Sequence, residues 1–136
     1  AYLAAREQAF SPNGQLPPLL FFTRPQYNTW IELMYDQNQA AVLAYAEQIL
    51  AHDYPAGILM IDDGWAEDYG NWQFHRGRFP APEQMVAQLH AAGFKVMLWV
   101  CPFISADSLT FRQAQAEGLL LRDRDGKSRF ARGGMG

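Results

Sequence analysis

The residue types in this chain that are best suited to chemistry are carboxylates standing close to tryptophans. Asp62 and Asp63 are adjacent, Trp65 follows them after one glycine, and Trp99 and Trp30 lie near the ends of two other apolar segments. A pyranose sugar needs this combination, because a carboxylate accepts hydrogen bonds from neighbouring hydroxyls while an indole ring covers the apolar C–H face. We therefore interpret these five residues as candidate carbohydrate-binding positions.

An apolar run, Ile58–Ile61, must position the two aspartates. Every residue of this run is hydrophobic, which is typical of a strand in a parallel sheet covered by helices. Asp62 and Asp63 then stand at the carboxyl end of the strand, where α/β folds bind ligands because the following loop opens a crevice. A purely structural alternative stays open at this point: one aspartate caps a turn and Trp65 packs beneath the loop.

Metal and nucleophilic sites fit the same residues less well. Asp62, Asp63 and His75 could hold a divalent cation, but adjacent residues of a strand point to opposite faces and do not easily bind one ion. Three histidines and the single cysteine, Cys101, do not form a zinc-ligand spacing. No G-x-S-x-G elbow and no glycine-rich phosphate loop occurs. The sequence therefore predicts neither a metal nor a cofactor.

Composition limits the class of protein. With 136 residues, of which 49% are hydrophobic and 18% charged, the chain is predicted to form one globular domain. The net charge of -3 argues against nucleic acid or an anionic membrane as the main partner. No apolar run reaches about 18 residues, so no membrane span is predicted. The chain begins at Ala1 without a signal-peptide pattern, and it could be a piece of a longer protein.

The pattern predicts a lead-in segment over residues 1–18, with a short helix in Tyr2–Phe10, followed by alternating strands and helices over residues 19–136. The predicted elements are a strand at Leu19–Thr23, a loop at Gln26–Trp30, a helix at Asp36–Ala51 capped by Asp36, a strand at Ile58–Ile61, a loop at Ala66–Phe79, a helix from Pro82 to Gly93, a strand at Phe94–Val100, a helix at Leu109–Glu117 and a hairpin joining Leu119–Leu121 to Ser128–Ala131.

Three evenly spaced strand starts, at Leu19, Gly57 and Lys95, suit either a (β/α)8 barrel or a doubly wound sheet. Aromatic residues and carboxylates follow the strands, where a phosphate-binding sheet would have glycines, and this favours the barrel. We expect the α/β fold of a (β/α)8 TIM barrel, in which the three predicted strands run parallel in the order 1-2-3. A flavodoxin-like sheet, with the order 2-1-3, is the alternative.

Two stretches carry a family resemblance. They read L-M-I-D-D-G-W at Leu59–Trp65 and R-F-P-A-P-E-Q-M-V-A-Q-L-H-A-A-G-F-K-V-M-L-W-V-C-P-F-I-S at Arg78–Ser105. Within residues 17–125 the chain resembles glycoside hydrolase family 31, which comprises mainly retaining α-glucosidases. The resemblance implies a (β/α)8 catalytic barrel, of which this chain holds the first three strands with their helices.

The resemblance also implies roles for single residues. Asp62 matches an aspartate that hydrogen-bonds the sugar in the −1 subsite, and Trp99 matches a tryptophan lining the same pocket. Asp63–Trp65 lies where family members vary their subsite lining, and Cys101-Pro102 stands where many relatives have Asn-Pro. The family's nucleophile is an aspartate in a K-x-D-like motif on a later strand, and that motif is absent here.

The sequence thus predicts part of a retaining α-glycoside hydrolase that supplies sugar-binding residues but no catalytic residue. The resemblance implies that the nucleophile and the acid/base lie downstream of Gly136, the last residue of the sequence. The isolated chain is expected to be inactive and could self-associate through its open sheet edges. Two alternatives remain: a non-catalytic sugar-binding module and a flavodoxin-like α/β module.

Overall fold

The structure, a computed structural model, describes residues 2–10 and 14–128. Its helices are α1 (Tyr2–Ala9), α2 (Leu20–Thr23), α3 (Trp30–Leu33), α4 (Gln39–Ala51), α5 (Pro82–Ala91) and α6 (Leu109–Ala116). Its strands are β1 (Gln26–Asn28), β2 (Ile58–Ile61), β3 (Ala66–Asp68), β4 (Asn71–Phe74) and β5 (Lys95–Leu98).

Two predictions concern the end of the chain. The terminal hairpin is present as an antiparallel bridge between Arg122 and Ser128, while its residues 129–131 lie outside the described ranges. Gly136 also lies outside them. The prediction that the catalytic carboxylates lie downstream of Gly136 is therefore not tested by the fold and stays a prediction.

Strands β1, β2 and β5 form a parallel sheet in which neighbours along the chain are neighbours in space. The order is β1-β2-β5, with Tyr27 opposite Leu59 and Leu59 opposite Val96. The predicted parallel order 1-2-3 is confirmed. A flavodoxin-like sheet would place the first strand between the other two.

The first strand lies later in the chain than predicted. Leu19–Thr23 is not a buried strand: Leu20–Thr23 forms one helical turn, and Leu19 and Phe22 are 72% and 68% exposed. The short apolar run fits a helical turn as well as a strand, and Pro17-Pro18 leads directly into it. The segment predicted as a loop, Gln26–Asn28, pairs with β2 instead.

The core lies between this sheet and two helices packed on one of its faces. Leu59 and Ile61 of β2 point into it, and side chains from α4, α5 and the adjoining segments complete it. The members are buried and apolar: Val42, Ala46, Ile49, Leu59, Ile61, Trp65, Phe79, Met85, Leu89 and Phe94. Because side chains alternate along a strand, Met60 and then Asp62 belong to the opposite face, which these helices leave open.

Side chains cap the starts of α4 and α6, and the cap predicted for α4 is wrong. Asp36 does not cap α4; the Asn38 side chain accepts a hydrogen bond from the Ala41 N–H, and the helix begins at Gln39. Asp36 instead donates its N–H to the Leu33 carbonyl, just after α3. The predicted start at Pro82 is confirmed, and the Ser108 side chain caps α6.

The segment predicted as a long loop, Ala66–Phe79, contains an antiparallel hairpin formed by β3 and β4. This hairpin begins three residues after Asp63, so it belongs to the connection that follows the carboxyl end of β2. No helix within residues 2–10 and 14–128 is long and apolar enough to cross a membrane.

Candidate functional site

Asp62 lies at the carboxyl end of β2, on the sheet face that α4 and α5 do not cover. The ladder between β2 and β5 continues past its last paired residues, because the Trp99 N–H donates to the Ile61 carbonyl at 3.0 Å. This register sets Trp99 beside Asp62, as the pairing of Ile61 with Leu98 implies. The structure therefore brings the predicted carboxylate and one predicted tryptophan together at the same edge.

The Asp62 side chain is held by hydrogen bonds at both oxygens. The Asn28 side-chain amide donates to Oδ2 at 2.6 Å, and the Asp63 backbone N–H donates to Oδ1 at 2.7 Å. The backbone N–H of Asp62 donates to the Thr29 hydroxyl at 3.1 Å. Asp62 is only 8% exposed, and these bonds compensate the cost of burying its charge.

A short chain of buried polar groups supports Asp62 from below. Thr29 and Gln37 are completely buried, and the Thr29 hydroxyl donates to Gln37 Oε1 at 2.7 Å. The Gln37 amide in turn donates to the Met34 carbonyl at 2.9 Å. Every polar side chain of this series thus has a partner, which is the condition for burying such groups.

Asp63 is turned away from Asp62 and toward the hairpin. The Tyr69 hydroxyl donates to Asp63 Oδ2 at 2.5 Å. Burial, the hydrogen bond to Asp63 and the charge of that carboxylate all raise the pKa of Tyr69 above its ordinary value of 10.0. The phenol therefore stays protonated and remains a hydrogen-bond donor at neutral pH.

A cavity of about 200 Å³ lies between the loop after β2 and the loop after β5. Its lining includes Asp63, Trp65, Tyr69, Trp72, Arg78 and Trp99. Three of the five predicted site residues therefore border one space, and Asp62 and Trp30 do not. Trp30 lies half-buried at the start of α3, edge-on to the Tyr35 ring at 5.2 Å.

Trp65 borders this cavity and also stabilises the fold. It is 2% exposed and belongs to the core, and its indole N–H donates to the Trp99 carbonyl at 2.7 Å. The Trp72 ring stacks on it with a centroid distance of 6.0 Å. The structural alternative for Trp65, that it packs beneath the loop, therefore describes most of its contacts.

His75 lies with Glu67 in the hairpin, where its Nε2 is 4.0 Å from the Glu67 carboxylate. Within residues 2–10 and 14–128, no group of three or more His, Cys, Asp or Glu side chains is arranged to hold a metal ion.

Sequence reasoning missed three residues of this site: Asn28, Thr29 and Gln37. Asn28 and Thr29 belong to the segment predicted as a loop, Gln26–Trp30, and Gln37 was predicted to lie in the first turn of the helix Asp36–Ala51. The detectable signal was weak, since only the run of polar residues around Tyr27 and Trp30 marked the segment.

Replacing Tyr69 by Phe is expected to destabilise the fold at neutral pH by about 1–3 kcal/mol, because Asp63 loses a donor. Since the pKa of Tyr69 is raised, its contribution is complete below the ordinary tyrosine pKa and is lost as pH rises through the folded-state value. The unfolding midpoint of the wild type should therefore fall more steeply in alkali than that of Tyr69→Phe. Tyr2→Phe, at an exposed position of α1, is the control. Parallel pH curves for wild type and Tyr69→Phe would contradict this assignment.

Comparison with known proteins identifies the family to which this chain belongs. Residues 15–135 match the model of the glycosyl hydrolases family 31 TIM-barrel domain. The chain is 33% identical over 118 residues to the myogenesis-regulating glycosidase of Mus musculus, covering 87% of this chain and 16% of that protein. It is 26% identical over 117 residues to the alpha-xylosidase XylQ of Lactiplantibacillus pentosus, covering 82% of this chain and 15% of that protein.

Solved structures agree with the fold. The GH31 dextranase of Flavobacterium johnsoniae, in complex with glucose, superposes with a TM-score of 0.73 at 26% identity, covering 85% of this chain and 14% of that one. A xylosidase from Aspergillus niger gives a TM-score of 0.71 at 27% identity, covering 86% and 16%. The chain thus spans about a sixth of the length of the relatives it matches, and the predicted partial (β/α)8 barrel is confirmed. It belongs to glycoside hydrolase family 31 and lies within the TIM-barrel domain of that family.

Proposed function

We propose that this chain is part of a retaining glycoside hydrolase that cleaves α-linked, glucosyl-type glycosides, and that its role there is to hold the sugar. Residues 19–136 are assigned to the catalytic barrel and residues 1–18 to a lead-in segment. The observation that carries the proposal is Asp62, a hydrogen-bonded carboxylate next to Trp99 at the carboxyl end of a barrel strand. In this fold that edge carries the active site.

The two adjacent aspartates do not suit the catalytic pair. A retaining mechanism needs two carboxyl groups about 5–5.5 Å apart on either side of the scissile bond. Asp62 is bonded toward β1 through Asn28, whereas Asp63 is bonded toward the hairpin through Tyr69. The two carboxylates therefore bond to different parts of the fold and do not face each other across one space. We place the nucleophile and the acid/base outside this segment, downstream of Gly136.

The sugar-binding surface combines Asp62 with the neighbouring aromatic cavity. Asp62 binds hydroxyls of the sugar, Trp99 covers a ring face, and Asp63 with Trp65 shapes the wall. Trp30 does not border this cavity. We assign it to a separate part of the sugar-binding surface. No cofactor or metal enters this scheme.

A second specificity, for α-xylosides, is supported by the similarity of the chain to relatives such as the alpha-xylosidase XylQ. Xylose differs from glucose by lacking the hydroxymethyl group on the ring. The two candidates are separated by the ratio of kcat/KM for an aryl α-glucoside and for the matching α-xyloside.

The test compares the complete enzyme with the isolated 136-residue chain on both aryl glycosides. We expect the complete enzyme to turn over the α-glucoside with the higher kcat/KM, and the isolated chain to show no turnover. In this proposal the isolated chain lacks the catalytic pair. Among the described residues, the outer edges of β1 and β5 pair with no further strand, which leaves them open to a second copy.

Two results would contradict the proposal. Turnover by the isolated chain that is lost on replacing Asp62 would place the catalysts within it. Sugar binding without turnover by the complete protein would instead indicate a non-catalytic binding module. Size-exclusion chromatography of the isolated chain reports its self-association in the same experiment.

A further inference from the structure

Asn28 is an exposed residue at the end of β1, yet both polar atoms of its side-chain amide bond to other groups of the protein. Its Oδ1 accepts the Trp30 N–H at 2.6 Å, and its Nδ2 donates to Asp62 Oδ2 at 2.6 Å and approaches Met60 Sδ at 3.3 Å. The first bond fixes the orientation of the amide, because only the oxygen can accept from an N–H. The nitrogen must therefore face Asp62.

These contacts leave Asn28 little capacity to bind a ligand itself. A primary amide has two N–H donors, and both are directed at β2 and the aspartate that follows it. The backbone carbonyl of Asn28 also has a partner, since it accepts a hydrogen bond from the Tyr45 hydroxyl at 3.3 Å. Asn28 thus acts on whatever lies in front of the sheet through Asp62.

The effect on Asp62 follows from counting lone pairs. A carboxylate offers about four acceptor positions, two on each oxygen. Asn28 uses one on Oδ2, and the Asp63 N–H uses one on Oδ1. One acceptor position remains on each oxygen, which matches two neighbouring hydroxyls of a sugar ring. Without Asn28, rotation about the Cβ–Cγ bond would no longer be opposed at Oδ2.

We propose that Asn28 is a positioning residue, which holds the Asp62 carboxylate so that its two free acceptor positions meet adjacent hydroxyls of the substrate. This inference rests on the proposed function of Asp62. It assigns a role in sugar recognition to a residue of β1, a strand on which no recognition residue was predicted.

The experiment uses the complete enzyme and three variants of β1. Asn28→Ser keeps a hydroxyl that can accept the Trp30 N–H, as serine does in turns, but is too short to reach Asp62. Asn28→Ala removes both bonds. Gln26→Ala is the matched control, because Gln26 lies on the same face of the same strand and bonds to the Phe21 carbonyl.

We expect Asn28→Ser and Asn28→Ala to lower kcat/KM by about 10- to 100-fold, the effect of one hydrogen bond to a charged group. Gln26→Ala should stay close to wild type. In an Asp62→Ala background, the further loss caused by Asn28→Ser should shrink below about threefold, because coupled residues are not additive.

A second measurement separates positioning from general damage to the fold. Wild-type enzyme should lose activity on aryl glycosides in which the hydroxyl bound by Asp62 is replaced by hydrogen. In Asn28→Ser this penalty should be smaller, since Asp62 is no longer held against that hydroxyl. A merely structural role would lower activity on all substrates equally.

The outcomes separate the proposed function of Asp62 from the positioning role of Asn28. If Asp62→Ala retains near-normal activity, the proposed function of Asp62 fails. If Asp62→Ala is impaired but Asn28→Ser is not, or if the two losses multiply and the deoxy-substrate penalties are unchanged, the positioning role of Asn28 is wrong and the proposed function stands.

Discussion

Replacing Asp62 by Ala in the complete enzyme is expected to lower kcat/KM by about 10²- to 10⁴-fold. The variant removes the acceptor of two hydrogen bonds to the sugar, and hydrogen bonds to a charged group contribute about 1.5–3 kcal/mol each. The fold should survive, because the Asp62 backbone N–H keeps its bond to Thr29. Steady-state kinetics on an aryl α-glycoside and a thermal unfolding curve measure the two quantities.

Asp107→Ala is the matched control for this substitution. It makes the same chemical change at an exposed carboxylate in the loop before α6, and its kcat/KM should equal that of the wild type. Near-normal activity of Asp62→Ala would exclude Asp62 from substrate binding. A large loss in both variants would show that the effect is not specific to the site.

Replacing Gly57 by Ala is expected to destabilise the barrel by about 3 kcal/mol or more, at the upper end of overpacking effects. A Cβ atom at this position would lie 2.2 Å from the Pro25 carbonyl oxygen. That oxygen accepts the Ile58 N–H at 3.0 Å, so β1 would have to move away from β2 to make room. The unfolding midpoint of the complete enzyme reports the loss.

Gly77→Ala provides the comparison, since its new Cβ would meet the half-buried His75 ring at 3.3 Å, and a side chain can give way where a backbone cannot. Its unfolding midpoint should change little. Because moving β1 also withdraws Asn28 from Asp62, Gly57→Ala should lose activity at temperatures where it is still folded. An unchanged midpoint would mean that β1 and β2 are not paired in this register.

The parts of the fold that could be predicted from sequence are those whose hydrophobic pattern has one interpretation. Ile58–Ile61 lies in the central strand of the sheet, and Val96 and Leu98 of the neighbouring strand pack against the core, so both runs are apolar. Strand β1 has no such pattern, since only Tyr27 packs against the core and its neighbours are exposed. The strand was therefore predicted at the apolar run Leu19–Thr23 instead.

The candidate site was predictable to a similar degree. Alternation along β2 placed Asp62 and Asp63 in different surroundings, and the structure shows them bonded in opposite directions. The supporting residues could not be found in this way. Asn28 meets Asp62 across 34 positions of sequence, and a buried Thr29–Gln37 pair looks like any polar loop until the strands are in place.

The loops after β2 and β5 are joined at several points. The Trp65 indole bonds to the Trp99 carbonyl, Tyr69 and Ser105 exchange two hydrogen bonds, and Gly70 lies against the Ile104 side chain. Each contact joins one residue of the first loop to one residue of the second. For loop grafting between relatives, the two segments form a single cassette: a transplanted hairpin keeps its shape only if the partner loop is transplanted with it.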